Sequence, residues 1–272
     1  MENKKDPKSF IKTLNPKAHG KTVFGGCDTC TLCCDGSTYT CANVLLDEMF
    51  DTAKLFPVVF SKTNDHLSLT LLYTLKRGIP CPYLEKETGN CEVYDSIRPR
   101  ACKIYPFNIK EIPSGQVDNT AYAVVFDSRC PGIVEGGEDG TKLIGQDGKL
   151  SPKITRQFIG ENMLRRYKTN LANTQKFLKL IKDLDLLVET EYDLGEPLSM
   201  VGYYGQNLSL KIWRISRKKL LELDADAVME IHRHQFFDAV YTHLNSLKNL
   251  DKLVKVKKQY DQNRVDLLSF HF

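Results

Sequence analysis

The chain predicts an α+β, helix-rich protein. It should have an irregular, cysteine-rich, metal-bound N-terminal lobe carrying a β-hairpin, followed by a mostly helical C-terminal lobe. Three observations lead there. All nine cysteines of the 272 residues lie between Cys27 and Cys130. Residues 107–112 and 117–126 flank a turn signal, with Tyr122, Val124 and Phe126 alternating with Ala123 and Val125, the period of a strand pair. Residues 159–181 instead repeat apolar groups at steps of three and four, the period of a helix. The hydrophobic fraction of 42% and charged fraction of 26% are ordinary for a globular domain. A net charge of +4 is too small to call for a nucleic-acid partner. No apolar run reaches the roughly 18 residues of a membrane span, and the polar start Met1–Pro7 leads into no signal-peptide core. A cytoplasmic setting is expected.

In chain order, residues 1–26 carry few apolar groups, and Gly25-Gly26 opens a turn into the first cysteines. Residues 44–60 and 66–77 read as short helices, from Val44, Leu45 and Met49 and from Leu67, Leu71 and Leu75. Gly78-Ile79-Pro80 ends the second, and 81–107 is irregular. The hairpin places 107–112 against 117–126 around Pro113-Ser114-Gly115-Gln116. Residues 132–152 have linker composition, which divides the chain into lobes 1–140 and 141–272. Beyond it, Ile159, Met163, Tyr167, Leu171, Thr174, Leu178 and Ile181 mark a long helix. Leu186–Val188 and Leu208–Trp213 are strand candidates, and Asp224 is placed to N-cap a following helix. Phe236, Val240, Leu244 and Leu247 continue a buried helical face to about residue 260.

The cysteines carry the functional argument. In a reducing compartment disulfides are rare, so tight Cys spacings point to metal ligation. Cys27, Cys30 and Cys33 match the first three ligands of a ferredoxin run, but Ser37 stands where the next should be. A radical-SAM loop fails at the same serine. Cys34, adjacent to Cys33, points elsewhere from an extended backbone. Cys81, Cys91, Cys102 and Cys130 are spaced to reach a centre from separate loops, and Cys41 stands apart, as readily a buried thiol as a ligand. Thiolate-rich sites select iron–sulfur clusters or zinc. Zinc sites usually pair cysteines at both ends, so iron–sulfur is the leading expectation and zinc the alternative.

These motifs carry a resemblance. The run Cys-x-x-Cys-x-x-Cys-Cys, then Cys81-Pro82-Tyr83-Leu84, Cys91-Glu92-Val93-Tyr94, Ile97-Arg98-Pro99, Cys102 and Tyr105-Pro106, resembles the bacterial cysteine-cluster family described as zinc- or iron-chelating, which includes flagellin lysine-N-methylases. The likeness covers residues 24–131. It implies a thiolate metal centre and, for some members, methyl transfer from S-adenosylmethionine to protein lysines. Arg98 is the candidate cation for an anionic cofactor, against a structural salt bridge at the Arg-Pro turn. Tyr105 is a second cofactor candidate, and Tyr94 a proton donor, against ordinary packed tyrosines. His232 and His234, two apart on a helix, face away from each other and do not chelate. The lysines of 248–258 form a solvated helix face. No glycine-rich phosphate loop is present. Residues 213–250 are similar to the end of SapC-like bacterial proteins, in keeping with a helical ending. The expectation is an iron–sulfur or zinc protein that modifies a protein or peptide, with lysine N-methylation the activity implied by the resemblance. The alternatives are a non-catalytic metal module or a redox or metal sensor. Whether it is an enzyme stays open.

Overall fold

The computed structural model describes residues 11–13, 16–26, 31, 33–37, 39–63, 66–85, 87–112, 121–160, 163–193 and 209–269. Its first half contains β1 (Ile11–Thr13), α1 (Pro16–His19), β2 (Val23–Phe24), β3 (Cys41–Asn43), α2 (Leu46–Thr52), β4 (Val58–Thr63), β5 (His66–Leu72), α3 (Arg100–Ile104), β6 (Phe107–Ile112) and β7 (Ala121–Asp127). There follow β8 (Ile133–Val134), β9 (Thr141–Lys142), α4 (Pro152–Ile154) with a π turn, α5 (Met163–Asp183), β10 (Leu187–Asp193) and β11 (Ser209–Ile215). The chain ends in α6 (Arg217–Leu221), α7 (Ala225–Arg233), α8 (Phe237–Ser246) and α9 (Leu250–Ser269). These elements divide into two interleaved units. One is residues 1–32 with 100–169; the other is 33–99 with 170–272. The linker-like stretch 132–152 falls inside the first unit.

In the first unit, β7 lies between β1 and β6, and β2 lies between β8 and β9. The expected hairpin is present, with Phe107 opposite Phe126 and Ile109 opposite Val124. Its turn lies outside the described residues. Phe24, Phe107, Phe126, Ile133, Leu143, Ile144 and Ile154 form one buried cluster that joins both sheets. Phe158 enters it edge-on to Phe24 at 4.9 Å and to Phe107 at 5.2 Å.

The second unit is built on a five-stranded antiparallel sheet in the order β10-β11-β4-β5-β3. Here one expectation needs correction. Of the two short helices, only Leu46–Thr52 is helical, while 58–63 and 66–72 pair as strands, Val58 opposite Leu71 and Phe60 opposite Leu69. The physical reason is a competing period. Leu67, Leu69 and Leu71 alternate with Ser68 and Thr70, and Val58-Val59-Phe60 is a β-branched and aromatic run. The two strand candidates of the C-terminal half correspond to β10 and β11, which complete a sheet begun by β3, β4 and β5.

Helices cover this sheet through named contacts. Phe177 of α5 meets Phe60 at 6.3 Å and Phe236 at 5.3 Å. Thr174 Oγ1 accepts the Leu46 backbone N–H at 3.0 Å. That bond satisfies a donor at the start of α2, whose N-cap residue, Leu45, has no capping side chain. Asp224 does cap α7, accepting from the Ala227 N–H at 2.8 Å. Ser246 Oγ accepts the Val58 N–H at 3.0 Å and donates to the His243 carbonyl at 2.7 Å. His243, fully buried, accepts the Ile215 N–H at Nε2, 3.1 Å away, and lies against Phe60 at 4.9 Å. Burial drives its pKa down to about 3, the charge of Arg214 adds to the fall, and the Val58 carbonyl opposes it. His243 is therefore a neutral packing residue.

On α9, Lys252, Lys255 and Lys258 are exposed as expected, whereas Lys257 is buried and reaches Asp261 at 2.7 Å. Its apolar stem follows the core while its ammonium meets a carboxylate one turn on. Among the described residues, no helix is long and apolar enough to cross a membrane.

Candidate functional site

The described cysteines are thiols, and they fall in two settings. Cys33, Cys34, Cys41, Cys81 and Cys91 belong to the second unit, Cys102 and Cys130 to the first. Cys27 and Cys30 lie outside the described residues. Cys130 is 3% exposed and packs in the apolar cluster of its unit, behaving as a small hydrophobe. Cys102 sits on α3, and Tyr105 packs against the same cluster as Cys130. Cys41 is exposed on β3, at one edge of the five-stranded sheet.

The second unit gathers the chemistry. A loop carrying Cys33-Cys34-Asp35-Gly36 is fastened to the segment 78–81 by two backbone bonds. Cys81 N–H donates to the Cys34 carbonyl at 2.7 Å, and Gly78 N–H to the Gly36 carbonyl at 2.9 Å. Asp35 closes the bend by accepting the Ser37 N–H at 2.7 Å. Gly36 is required here. Its φ is +77°, and a Cβ would stand 2.0 Å from the Ile79 carbonyl oxygen. The following segment folds back so that Leu84 bridges Cys91, and Tyr83 anchors it by donating to the Leu55 carbonyl at 3.0 Å. The next turn carries Tyr94, 59% exposed, with the Arg98 guanidinium stacked 4.2 Å from its ring centre.

At the centre, Cys33 Sγ and Cys34 Sγ are 3.7 Å apart. The hydrogen bond from Cys34 pulls the Cys33 thiol down to about 7. Burial works against that shift, Arg98 and the residue's own backbone N–H work with it, and Asp35 opposes it. The lowered value favours the thiolate, the form that attacks electrophiles. Sequence reasoning had named Cys33, Cys34, Cys81, Cys91 and Arg98, and all five lie in this unit. It missed Asp35 and Gly36, although Asp-Gly-Ser is a legible turn signal.

A family model described as SapC matches residues 14–253. The chain belongs to the SapC family. That match corrects the resemblance drawn above: the family is SapC and not the cysteine-cluster family, and the likeness noticed at residues 213–250 is one part of a match over most of the chain. No solved structure matches this SapC-family chain. The metal expectation is corrected too. Among the described residues, no group of three or more His, Cys, Asp or Glu side chains is arranged to hold a metal ion. The iron–sulfur or zinc centre, the S-adenosylmethionine cofactor and the lysine methylation implied with them, and the alternatives of a metal module or sensor, lose their support with the family and the ligand set. The physical reason is that tight spacing in sequence fixes neither side-chain direction nor setting. Adjacent Cys33 and Cys34 hydrogen-bond to each other, and Cys130 is taken up as core.

Proposed function

We propose that this SapC-family chain uses Cys33 as a nucleophilic thiol toward a disulfide-bearing protein or peptide, in the cytoplasm. The observation that carries this reading is the Cys33–Cys34 pair, with sulfurs 3.7 Å apart beside Arg98. The Cys33 thiolate attacks one sulfur of the partner's disulfide. A Cys33–S bond forms, the partner's S–S bond breaks, and its other sulfur leaves as a thiolate that takes up a proton. Cys34 holds the attacking sulfur in its charged form by donating its thiol proton as a hydrogen bond, and Arg98 adds positive charge. Tyr94, exposed and stacked with Arg98, offers an aromatic–cationic contact of the kind that docks a polypeptide. In a reducing cytoplasm the resting thiols stay reduced, and such exchange is transient.

The reading is tested with dithiodipyridine as a model disulfide at pH 7. A fast release of thiopyridone is expected, with the mixed disulfide mapped to Cys33 by peptide mass spectrometry, and Cys33→Ser should abolish that fast phase. A fast phase unchanged in Cys33→Ser, or an adduct mapping elsewhere, overturns it.

A further inference from the structure

We infer that Cys81 is the resolving thiol of this site, closing a disulfide with Cys34 that makes release of the partner irreversible; the inference rests on the reading of Cys33 as nucleophile. Its basis is a distance. The Cys81 N–H donates to the Cys34 carbonyl at 2.7 Å. With standard backbone dimensions, that bond holds the two Cα atoms no more than about 6.6 Å apart. Disulfides bridge Cα atoms about 4.4–6.8 Å apart, so this backbone bond brings the pair inside the spacing a disulfide needs. The neighbouring bond from Gly78 to Gly36, and the bend that only glycine fits, hold the two segments at this spacing.

A third thiol is what the Cys33–Cys34 pair lacks. Cys34 Sγ, 3.7 Å from Cys33 Sγ, is in position to attack a mixed disulfide at Cys33. That attack releases the partner as a thiol and leaves a bond between adjacent cysteines. Adjacent cysteines close an eight-membered ring against a planar trans peptide, which strains the disulfide and makes it readily exchanged. The Cys81 thiolate then attacks Cys34 Sγ. The Cys34–Cys81 bond forms, the Cys33–Cys34 bond breaks, and Cys33 leaves as a thiolate. Across both steps the partner's disulfide is reduced to two thiols, and Cys34 and Cys81 are oxidised to one disulfide, with no other oxidant.

The full chain, reduced and then exposed to oxidised glutathione, is quenched at intervals with N-ethylmaleimide and followed by intact mass and peptide mapping. Wild type should show a glutathione adduct at Cys33 that rises and then decays into a Cys34–Cys81 disulfide. In Cys81→Ser the strained Cys33–Cys34 bond is not drawn off and glutathione re-opens it, so the adduct should persist at least ten times longer. An adduct that persists equally in wild type, or an internal disulfide joining other cysteines, overturns the resolving role while leaving Cys33 as nucleophile. No adduct at Cys33 overturns the nucleophile reading itself. A second arm is independent of that reading. Cys33→Ser treated with diamide should still form the Cys34–Cys81 disulfide, and its failure to do so overturns the pairing.

Discussion

His243 offers a test of how the helical layer of the second unit is seated on its sheet. Its ring is fully buried and stays neutral, with a folded-state pKa of about 3 against an ordinary 6.5. Because the folded value is depressed, the unfolded chain binds the extra proton between those two values. Stability from this group is therefore complete above about pH 6.5 and is lost as pH falls toward 3. At about 1.4 kcal/mol per unit of pKa difference, going from pH 7 to pH 4.5 should cost about 2 to 3 kcal/mol through His243 alone. The perturbation is His243→Leu, which keeps an apolar occupant but removes the acceptor for the Ile215 N–H. At pH 7 the variant should be less stable by about 1–3 kcal/mol, the cost of a buried donor left unpaired. Urea denaturation followed by circular dichroism at pH 7 and pH 4.5 gives both quantities. Other groups titrate in both proteins and cancel in the difference. The gap between wild type and variant should close, or reverse, at the lower pH. Parallel loss of stability in the two proteins would refute the neutral, buried histidine.

Gly36→Ala should destabilise the second unit by about 2 kcal/mol or more, since both the positive φ and the Ile79 carbonyl oppose a Cβ. Gly78→Ala, also at positive φ but with nothing within 4 Å of its Cβ, should cost only about 1 kcal/mol, and thermal unfolding of the two variants compares them. Thr174→Val removes the acceptor of the Leu46 N–H and should cost about 1–3 kcal/mol, with faster amide exchange at the start of α2. Arg98→Ala should move the midpoint of Cys33 alkylation to higher pH, because a positive charge that favours the thiolate is gone.

What the chain discloses before folding depends on whether a local pattern has a rival. The helix Met163–Asp183 and the strand pair 107–112 and 121–127 have one dominant period each, and both are where the residues place them. Asp224 caps a helix because a short acceptor before an amphipathic run has little else to do. Leu67, Leu71 and Leu75 satisfied a helical step by coincidence, while Leu67, Leu69 and Leu71 carried the strand that tertiary pairing with β4 selects. The five-stranded sheet was not legible, because its strands come from both ends of the chain. At the site, spacing singled out cysteines as metal ligands, and among the described residues no such ligand group is present. Nothing in a run of cysteines tells that one thiol will hydrogen-bond its neighbour, or that Cys130 will be buried among phenylalanines.

The central claim is that Cys33 is an activated thiol held so by Cys34. Its most direct test is the pH dependence of iodoacetamide alkylation at Cys33, read peptide by peptide in the full chain. A half-maximal rate near pH 7 that moves upward in Cys34→Ser is the predicted result. A midpoint in the ordinary cysteine range of about 8.5, unchanged by Cys34→Ser, would contradict it.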